Sequence, residues 1–134
     1  MDEMNATKEE FGCAICWPAA ADKAWEAVLS LAIDAELVDE SHFAVMIRAC
    51  PECRQRFVSV FTETVDWVDS EDPQFWKVLP VTEQEVEQLS RARTDMTSAL
   101  NALAPRRRSL CHDFPKGESP KEYWSSGILV RPHD

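Results

Sequence analysis

Four of the five cysteines in the chain form two Cys-x-x-Cys pairs, and this pattern constrains the fold more than any other feature. The first pair is Cys13 and Cys16, and the second is Cys50 and Cys53. Two intervening residues let both sulfurs of a pair reach one ion from a tight turn, and two such pairs complete the tetrahedron of thiolates that Zn²⁺ prefers. The sequence therefore predicts a structural Zn²⁺ site, because four protein ligands leave the metal no open position.

Other uses of these cysteines stay open at this level. Disulfides would need an oxidising compartment. A redox pair would use Cys16, which Trp17 and Pro18 follow, as a thiolate at the start of a helix. Four thiolates also hold iron, so zinc is one of two candidate metals. His42 is a weaker candidate ligand, and Cys111 is predicted to be a free thiol.

Composition indicates one acidic globular domain over residues 1–134. The 14 basic and 24 acidic residues give a net charge of −10, and 45% of the residues are hydrophobic, which suits a packed chain of this length. The three glycines never cluster, which excludes a dinucleotide-binding turn and a phosphate-binding loop. No apolar run approaches the ~18–20 residues of a membrane span, and the acidic start is unlike a secretory signal. The expected compartment is the cytoplasm, with no membrane contact.

An α+β fold is expected from the order of the elements. The alanine-rich run 19–38 predicts a helix that begins at Pro18. Two β-prone runs, 43–49 and 56–68, predict a hairpin with the second cysteine pair at its tip. Thr82 and Glu85 form a capping-box pattern that opens a second helix.

The remaining segments carry weaker signals. Residues 66–80 are predicted to be irregular, and residues 1–11 to be flexible. The tail, 105–134, is expected to pack on the domain in an ordered conformation, since it contains Tyr123 and Trp124. Within the tail, 127–131 is predicted to be a strand.

Over Cys13–Thr64 the sequence resembles the zinc-ribbon and treble-clef group of proteins. In that group one pair of ligands comes from a hairpin knuckle, which implies a helix and a β-hairpin joined by the four-cysteine zinc site. A glycine often follows the second cysteine of such a knuckle, and here Trp17 and Arg54 hold those positions. The run from Cys50 to Trp67 is also similar to small uncharacterised bacterial proteins, a resemblance that implies no particular activity.

A segment of acids and aromatics suggests a surface for a protein partner. Carboxylates beside aromatic anchors suit a basic protein, through electrostatic steering and cation–π contact. An equally available interpretation is that the aromatics cover the core and the acids are merely solvated. The candidate partner-binding residues are Asp66, Trp67, Asp69, Glu71, Asp72 and Trp76.

The charge distribution argues against nucleic acid as the main partner. Residues 1–47 carry a net charge of −8 and residues 48–104 one of −4, while residues 105–134 carry +2. Nucleic-acid binding usually requires a basic face, for which only Arg48, Arg54, Arg56 and the run 106–108 are candidates.

The predicted function is that of a small non-catalytic zinc-binding protein, because no spacing singles out a general acid and base. It would act through protein–protein interaction, with a basic partner, in a regulatory or immunity-like role. Two alternatives stay open: a zinc-ribbon accessory factor in transcription or nucleic-acid processing, and a thiol-redox protein. The sequence gives no prediction of oligomeric state.

Overall fold

A computed structural model describes residues 11–133, and within them the chain forms a six-stranded antiparallel sheet with three α-helices. Each strand pairs with the next one along the chain, so the sheet is an up-and-down meander with strand order β1 to β6. The strands are β1 (Ala32–Glu40), β2 (Phe43–Ala49), β3 (Arg56–Glu63), β4 (Gln74–Val81), β5 (Arg108–Phe114) and β6 (Lys121–Ser126). The helices are α1 (Ala21–Leu29), α2 (Glu83–Arg91) and α3 (Met96–Ala102), with a 3₁₀ turn (Arg93–Asp95) between α2 and α3.

Both faces of the sheet are buried, because the central strands carry apolar side chains on each side. In β3, Val58 and Val60 belong to one core and Phe57 belongs to the other, as the two-residue period of a strand requires. The sheet therefore separates two apolar cores instead of covering a single one.

The larger core lies between the sheet and the segment that carries α2 and α3. Leu89 of α2 and Leu100 of α3 pack there with Ile47 and Leu79, and Ile128 joins them from the tail. The smaller core lies between the sheet and α1, where Ala24 and Val28 meet residues of three strands. Its buried members are Cys16, Ala24, Val28, Leu31, Cys50, Phe57, Val78 and Leu110.

The predicted first helix is wrong in its second half. The helix α1 ends at Leu29, and most of the remainder of the run 19–38 forms the edge strand β1. Pairing with β2 satisfies backbone groups along one side of this segment, and the strand buries Leu37. This gain outweighs the helix propensity of its alanines. The guanidinium of Arg48 donates to the carbonyl of Val28, 3.3 Å away, at the end of the helix.

The α+β class is confirmed, but the expected arrangement of a helix and a separate hairpin is not. Strands β2 and β3 do pair as a hairpin around the second cysteine pair, yet they are the second and third strands of a larger sheet. The strand β3 also ends at Glu63, whereas the prediction ran to residue 68.

Two further predictions for the second half of the chain are corrected. The last part of the run 66–80 is not irregular, because residues 74–80 belong to β4. One proline lies directly before this strand and another within it, and these prolines hide the strand in the sequence. The tail is ordered, but its strands are β5 and β6, and 127–131 is not a strand. The capping box at Thr82 is confirmed. The flexible segment predicted over residues 1–11 lies, except for Phe11, outside the described residues.

Candidate metal centre

The two cysteine pairs lie in two turns of the same construction. In the first, the backbone N–H of Trp17 donates to the carbonyl of Cys13 at 2.8 Å, and in the second the N–H of Arg54 donates to the carbonyl of Cys50 at 2.9 Å. The first turn precedes α1, and the second connects β2 to β3. Because α1 packs over the strands, the two turns meet at one end of the sheet.

The four sulfurs have the spacing of a tetrahedral metal site. All four Sγ atoms lie within 4.8 Å of one another. Cys13 is 3.8 Å from Cys16 and 3.9 Å from Cys50, and Cys16 is 3.7 Å from Cys53. A tetrahedron with zinc–sulfur bonds of about 2.3 Å has edges of about 3.8 Å. The donor set therefore fits Zn²⁺ in both chemistry and size, and the same four thiolates would also accept iron.

Backbone hydrogen bonds prepare the sulfurs to carry negative charge, and those to Cys16 and Cys50 are examples. The N–H of Cys13 donates to the Sγ of Cys16 at 3.2 Å, and the N–H of Glu52 donates to the Sγ of Cys50 at 3.4 Å. Such donors orient a metal-bound thiolate and offset part of its charge.

The thiols differ in how readily they lose a proton before a metal binds. A hydrogen bond from the backbone of Cys16 is the main cause that lowers the pKa of the Cys13 thiol, from 9.0 to about 7. Burial raises the pKa of Cys16, and burial also raises that of Cys53. A bound cation would replace these protons, so metal binding at this site releases protons and is coupled to folding.

Gln55 joins the two turns to each other and to the sheet, a role that the sequence did not reveal. Its Oε1 accepts from the N–H of Gly12 at 3.0 Å, and its Nε2 donates to the carbonyl of Val81 at 2.9 Å. Trp17 adds an apolar connection, since its ring lies 5.1 Å from that of Phe57 and 5.0 Å from that of Trp124. A glutamine two residues after a Cys-x-x-Cys pair carries no distinctive signal, because its partners Gly12 and Val81 lie far away in sequence.

Five of the six candidate partner-binding residues lie at the opposite end of the sheet, in the connection between β3 and β4, and Trp76 lies in β4 itself. The Asp66 carboxylate organises this connection by accepting from the N–H groups of Val68, Asp69 and Glu71, at 3.1 to 3.4 Å. Lys116, from the connection between β5 and β6, pairs with Asp66 at 3.0 Å and with Asp69 at 2.9 Å. The loop is therefore held by a set of internal contacts.

Trp67 and Trp76, which the sequence grouped together, have different environments. Trp67 is 86% exposed at the tip of the loop, as is Val68. Trp76 belongs to β4, where its ring lies 4.9 Å from Phe61 and 5.6 Å from Trp25. The structure thus separates an exposed tryptophan from one that packs on the sheet.

The other candidate residues have structural environments away from the cysteine cluster. His42 lies 3.2 Å from the Glu63 carboxylate. Cys111 is fully buried, and its Sγ lies 3.3 Å from the Nζ of Lys77. In the arginine run, Arg107 forms a two-point contact with Glu85, at 2.7 and 3.2 Å.

Comparisons with protein-family models, with curated proteins and with solved structures find no match for this chain. The resemblance to zinc ribbons therefore stays a prediction. Among the described residues, no helix is long and apolar enough to cross a bilayer.

Proposed function

We propose that the protein is a non-catalytic, zinc-stabilised binding protein. The observation that carries this proposal is the closed cluster of four sulfurs, with its edges of 3.7 to 3.9 Å. The ligands would be Cys13, Cys16, Cys50 and Cys53, and with four thiolates the ion has no open position for a substrate. The cytoplasm suits this role, because its thiols stay reduced.

The ion would hold the chain segment before α1 against the sheet. Cys16 and Cys50 are both members of the smaller core, so one ion links two segments that also share apolar contacts. In this role the metal contributes free energy of folding and performs no chemistry on a substrate.

The proposed partner is a basic protein that contacts the loop between β3 and β4. In this loop Trp67 and Val68 are each 86% exposed, and the neighbouring acidic residues Asp69, Glu71 and Asp72 are exposed as well. An exposed tryptophan on a loop that is already ordered is a good interface anchor, because little conformational entropy is lost on binding. The carboxylates of this loop would speed association with a basic partner surface and would disfavour binding to acidic surfaces. This combination suits a regulatory or immunity-like protein that covers the basic site of its partner.

The two alternative functions have less support. A thiol-redox protein needs a cysteine pair that acts by itself, and here the two pairs share one cluster. Nucleic-acid binding has few available cations near the cysteine turns, since Arg48 donates to the helix end, Arg56 pairs with Asp34 and Arg107 pairs with Glu85. With three of the six candidate arginines engaged in this way, fewer are left to neutralise phosphates.

The metal is tested by elemental analysis of the purified, unheated protein together with thiol counting. We expect one zinc per chain and, because Cys111 is fully buried, no rapidly reactive thiol in the folded zinc-loaded protein. Denaturation with a chelator should expose all five thiols. Cys16→Ser should lose the zinc, whereas Cys111→Ser is the matched control that should retain it. A metal-free protein, or equal zinc content in both variants, would contradict the proposed site.

The partner is tested with the small basic proteins encoded by neighbouring genes, each purified and titrated by calorimetry at increasing salt. Affinity should fall with ionic strength, because exposed charges are screened. Trp67→Ala should weaken binding by about thirtyfold, as expected for an anchor worth ~2 kcal/mol. The control is Leu129→Ala, which removes another exposed side chain outside the loop. An affinity that changes neither with salt concentration nor in Trp67→Ala would count against this function.

A further inference from the structure

Next to the loop that carries Trp67 lies a cleft with a volume of about 710 Å³. It is bounded on one side by residues 70–72 and on the other by residues 114–120, the connection between β5 and β6. This volume lies within the ~300–1,000 Å³ range of ligand pockets. The cleft is large enough for a partner side chain together with part of its backbone.

Three directly paired residues from three neighbouring strands line the inner part of the cleft. Gln74, at the start of β4, is opposite Glu63 in β3 and opposite Phe114 in β5, and opposed residues present their side chains on the same face of a sheet. Phe114 is 46% exposed, which is unusual for a large apolar side chain at the end of a central strand. Prolines 115 and 120 extend the apolar lining.

The charges of the cleft leave a surplus of carboxylate. Its lining contains one cation, Lys116, whose ammonium already pairs with Asp66 and Asp69 outside the lining. Glu63 is engaged as well, because its Oε2 accepts from Gln74 at 2.8 Å. Glu71 and Glu118 both line the cleft, and among residues 11–133 neither side chain is engaged in a hydrogen bond, although the charge of Glu71 helps to raise the pKa of Lys116.

We propose that this cleft binds an arginine side chain of the basic partner. A guanidinium is planar, so it stacks on an aromatic ring while its edges donate to carboxylates. The cleft offers both elements, an exposed ring in Phe114 and available carboxylates in Glu71 and Glu118. This proposal rests on the proposed function and adds to it the class of side chain that is recognised.

Arginine fits this lining better than either an apolar or an anionic group. An apolar side chain would bury carboxylates without a donor, which costs free energy. A phosphate or carboxylate would meet like charges at Glu63, Glu71, Asp72 and Glu118. Lysine carries the charge but lacks the planar face, so it should bind more weakly than arginine at the same site.

The test uses the zinc-loaded protein with N-acetylarginine methylamide as the probe. The citrulline analogue of the probe is the neutral molecule of the same shape. Backbone amide shifts in NMR spectra detect weak binding at individual residues. We expect saturable shifts at residues 70–74 and 114–120 with arginine and none with citrulline. Phe114→Ala should weaken arginine binding by about three- to tenfold, the loss of one cation–π contact.

The charge requirement has its own pair of variants. The double variant Glu71→Gln with Glu118→Gln should weaken arginine binding. The control, Glu36→Gln with Asp39→Asn, makes the same change in net charge on the exposed edge strand β1. This control should leave arginine binding unchanged. Equal shifts with arginine and citrulline, or equal effects of the two double variants, would overturn the cleft assignment. If a basic protein still binds through Trp67 while the arginine probe leaves the cleft amides unmoved, only the cleft assignment fails and the proposed function stands.

Discussion

Two residues with positive φ control the shape of the cysteine turns. Gly12, directly before the first pair, has φ +74°, and Arg54, directly after the second, has φ 68°. A Cβ on Gly12 would lie 2.8 Å from the Cβ of Trp17 and 3.0 Å from the Sγ of Cys16. Glycine is therefore needed at residue 12 for space as well as for backbone conformation, whereas Arg54 adopts a conformation that favours glycine.

Gly12→Ala should destabilise the zinc-loaded protein by more than the ~1–2 kcal/mol cost of the left-handed backbone alone, because it also displaces Trp17 or Cys16. The measurement is chemical denaturation, combined with a chelator competition for the metal. Gly117→Ala is the matched control, since Gly117 has φ +75° and nothing within 4 Å of its added Cβ. An equal decrease in the free energy of unfolding in the two variants would show that the contact of residue 12 with the cysteine turn has no effect on stability.

Arg54→Gly should raise the free energy of unfolding by up to ~1 kcal/mol, because it removes the strain of a side chain at positive φ. Arg54 is exposed, so little packing is lost. Thermal unfolding of the zinc-loaded variant measures this effect. A lower melting temperature than that of the unchanged protein would contradict the prediction.

At the level of elements, one ion pair connects the start of α2 to the start of β5. Glu85 completes the capping box by accepting from the N–H of Thr82 at 2.9 Å, and it also binds the Arg107 guanidinium. Burial alone would raise the pKa of Glu85, but the hydrogen bonds from Arg107 and Thr82 lower it overall. Arg107 donates in addition to the carbonyl of Pro80 at 2.9 Å. A single guanidinium thus joins a helix and two strands.

Arg107→Ala should lower the free energy of unfolding by about 2 kcal/mol, because it leaves a largely buried carboxylate without its charged partner. Arg106→Ala is the matched control, since Arg106 is exposed and should change stability by less than ~0.5 kcal/mol. Urea denaturation of both variants is the measurement. Similar losses would mean that the arginine run acts through its total charge and not through this contact.

The acidic loop should respond to pH through Asp66. The hydrogen bond from Lys116 is the main cause that lowers the pKa of Asp66, from 3.8 to about 2, and the loop N–H groups add to it. Since the folded-state pKa is below the ordinary one, the stabilisation is fully present above pH ~4 and is lost as the pH falls through about 2. The amide shifts of Val68 and Asp69 should titrate with the lower midpoint. A midpoint near 4, or no change in these shifts in Asp66→Asn, would contradict this role.

For the whole molecule, the two cores depend on the metal to different degrees. The larger core contains none of the four clustered cysteines, whereas the smaller core includes Cys16 and Cys50. The elements of the smaller core are joined partly through the cysteine cluster, so it should be the less stable half of the protein without metal.

Removal of the metal by a chelator should therefore open the smaller core first. We expect amide hydrogen exchange to accelerate by at least about tenfold in α1 and in the cysteine turns, while β3 and β4 stay protected by the larger core. Readdition of Zn²⁺ should restore protection, and Mg²⁺, which prefers oxygen ligands, should not. Uniform acceleration over the whole sheet would show instead that the metal supports both cores equally.

Local patterns in the sequence determined the features that depend on near neighbours. The spacing of the cysteines predicted two metal-binding turns, the Thr82 and Glu85 pattern predicted a capped helix, and the β-prone runs on either side of Cys50 predicted a hairpin. In each of these, the interacting groups lie within a few residues of one another or in adjoining segments. The order of the predicted elements likewise indicated the α+β class, and the residue counts indicated a net acidic chain.

Tertiary contacts decided the features whose partners are distant in the chain. Ala32–Glu40 pairs with the adjoining strand β2, but the distant contribution is the burial of Leu37 in the larger core, whose members extend to Ile128. Gln55 joins the two turns because folding brings Gly12 and Val81 to it. The cleft exists because Gln74, Glu63 and Phe114 become neighbours in the sheet. The free energy gained from backbone pairing and from burial between distant segments is larger than the fractions of a kcal/mol that separate helix and strand propensities. The sequence alone therefore left these choices open.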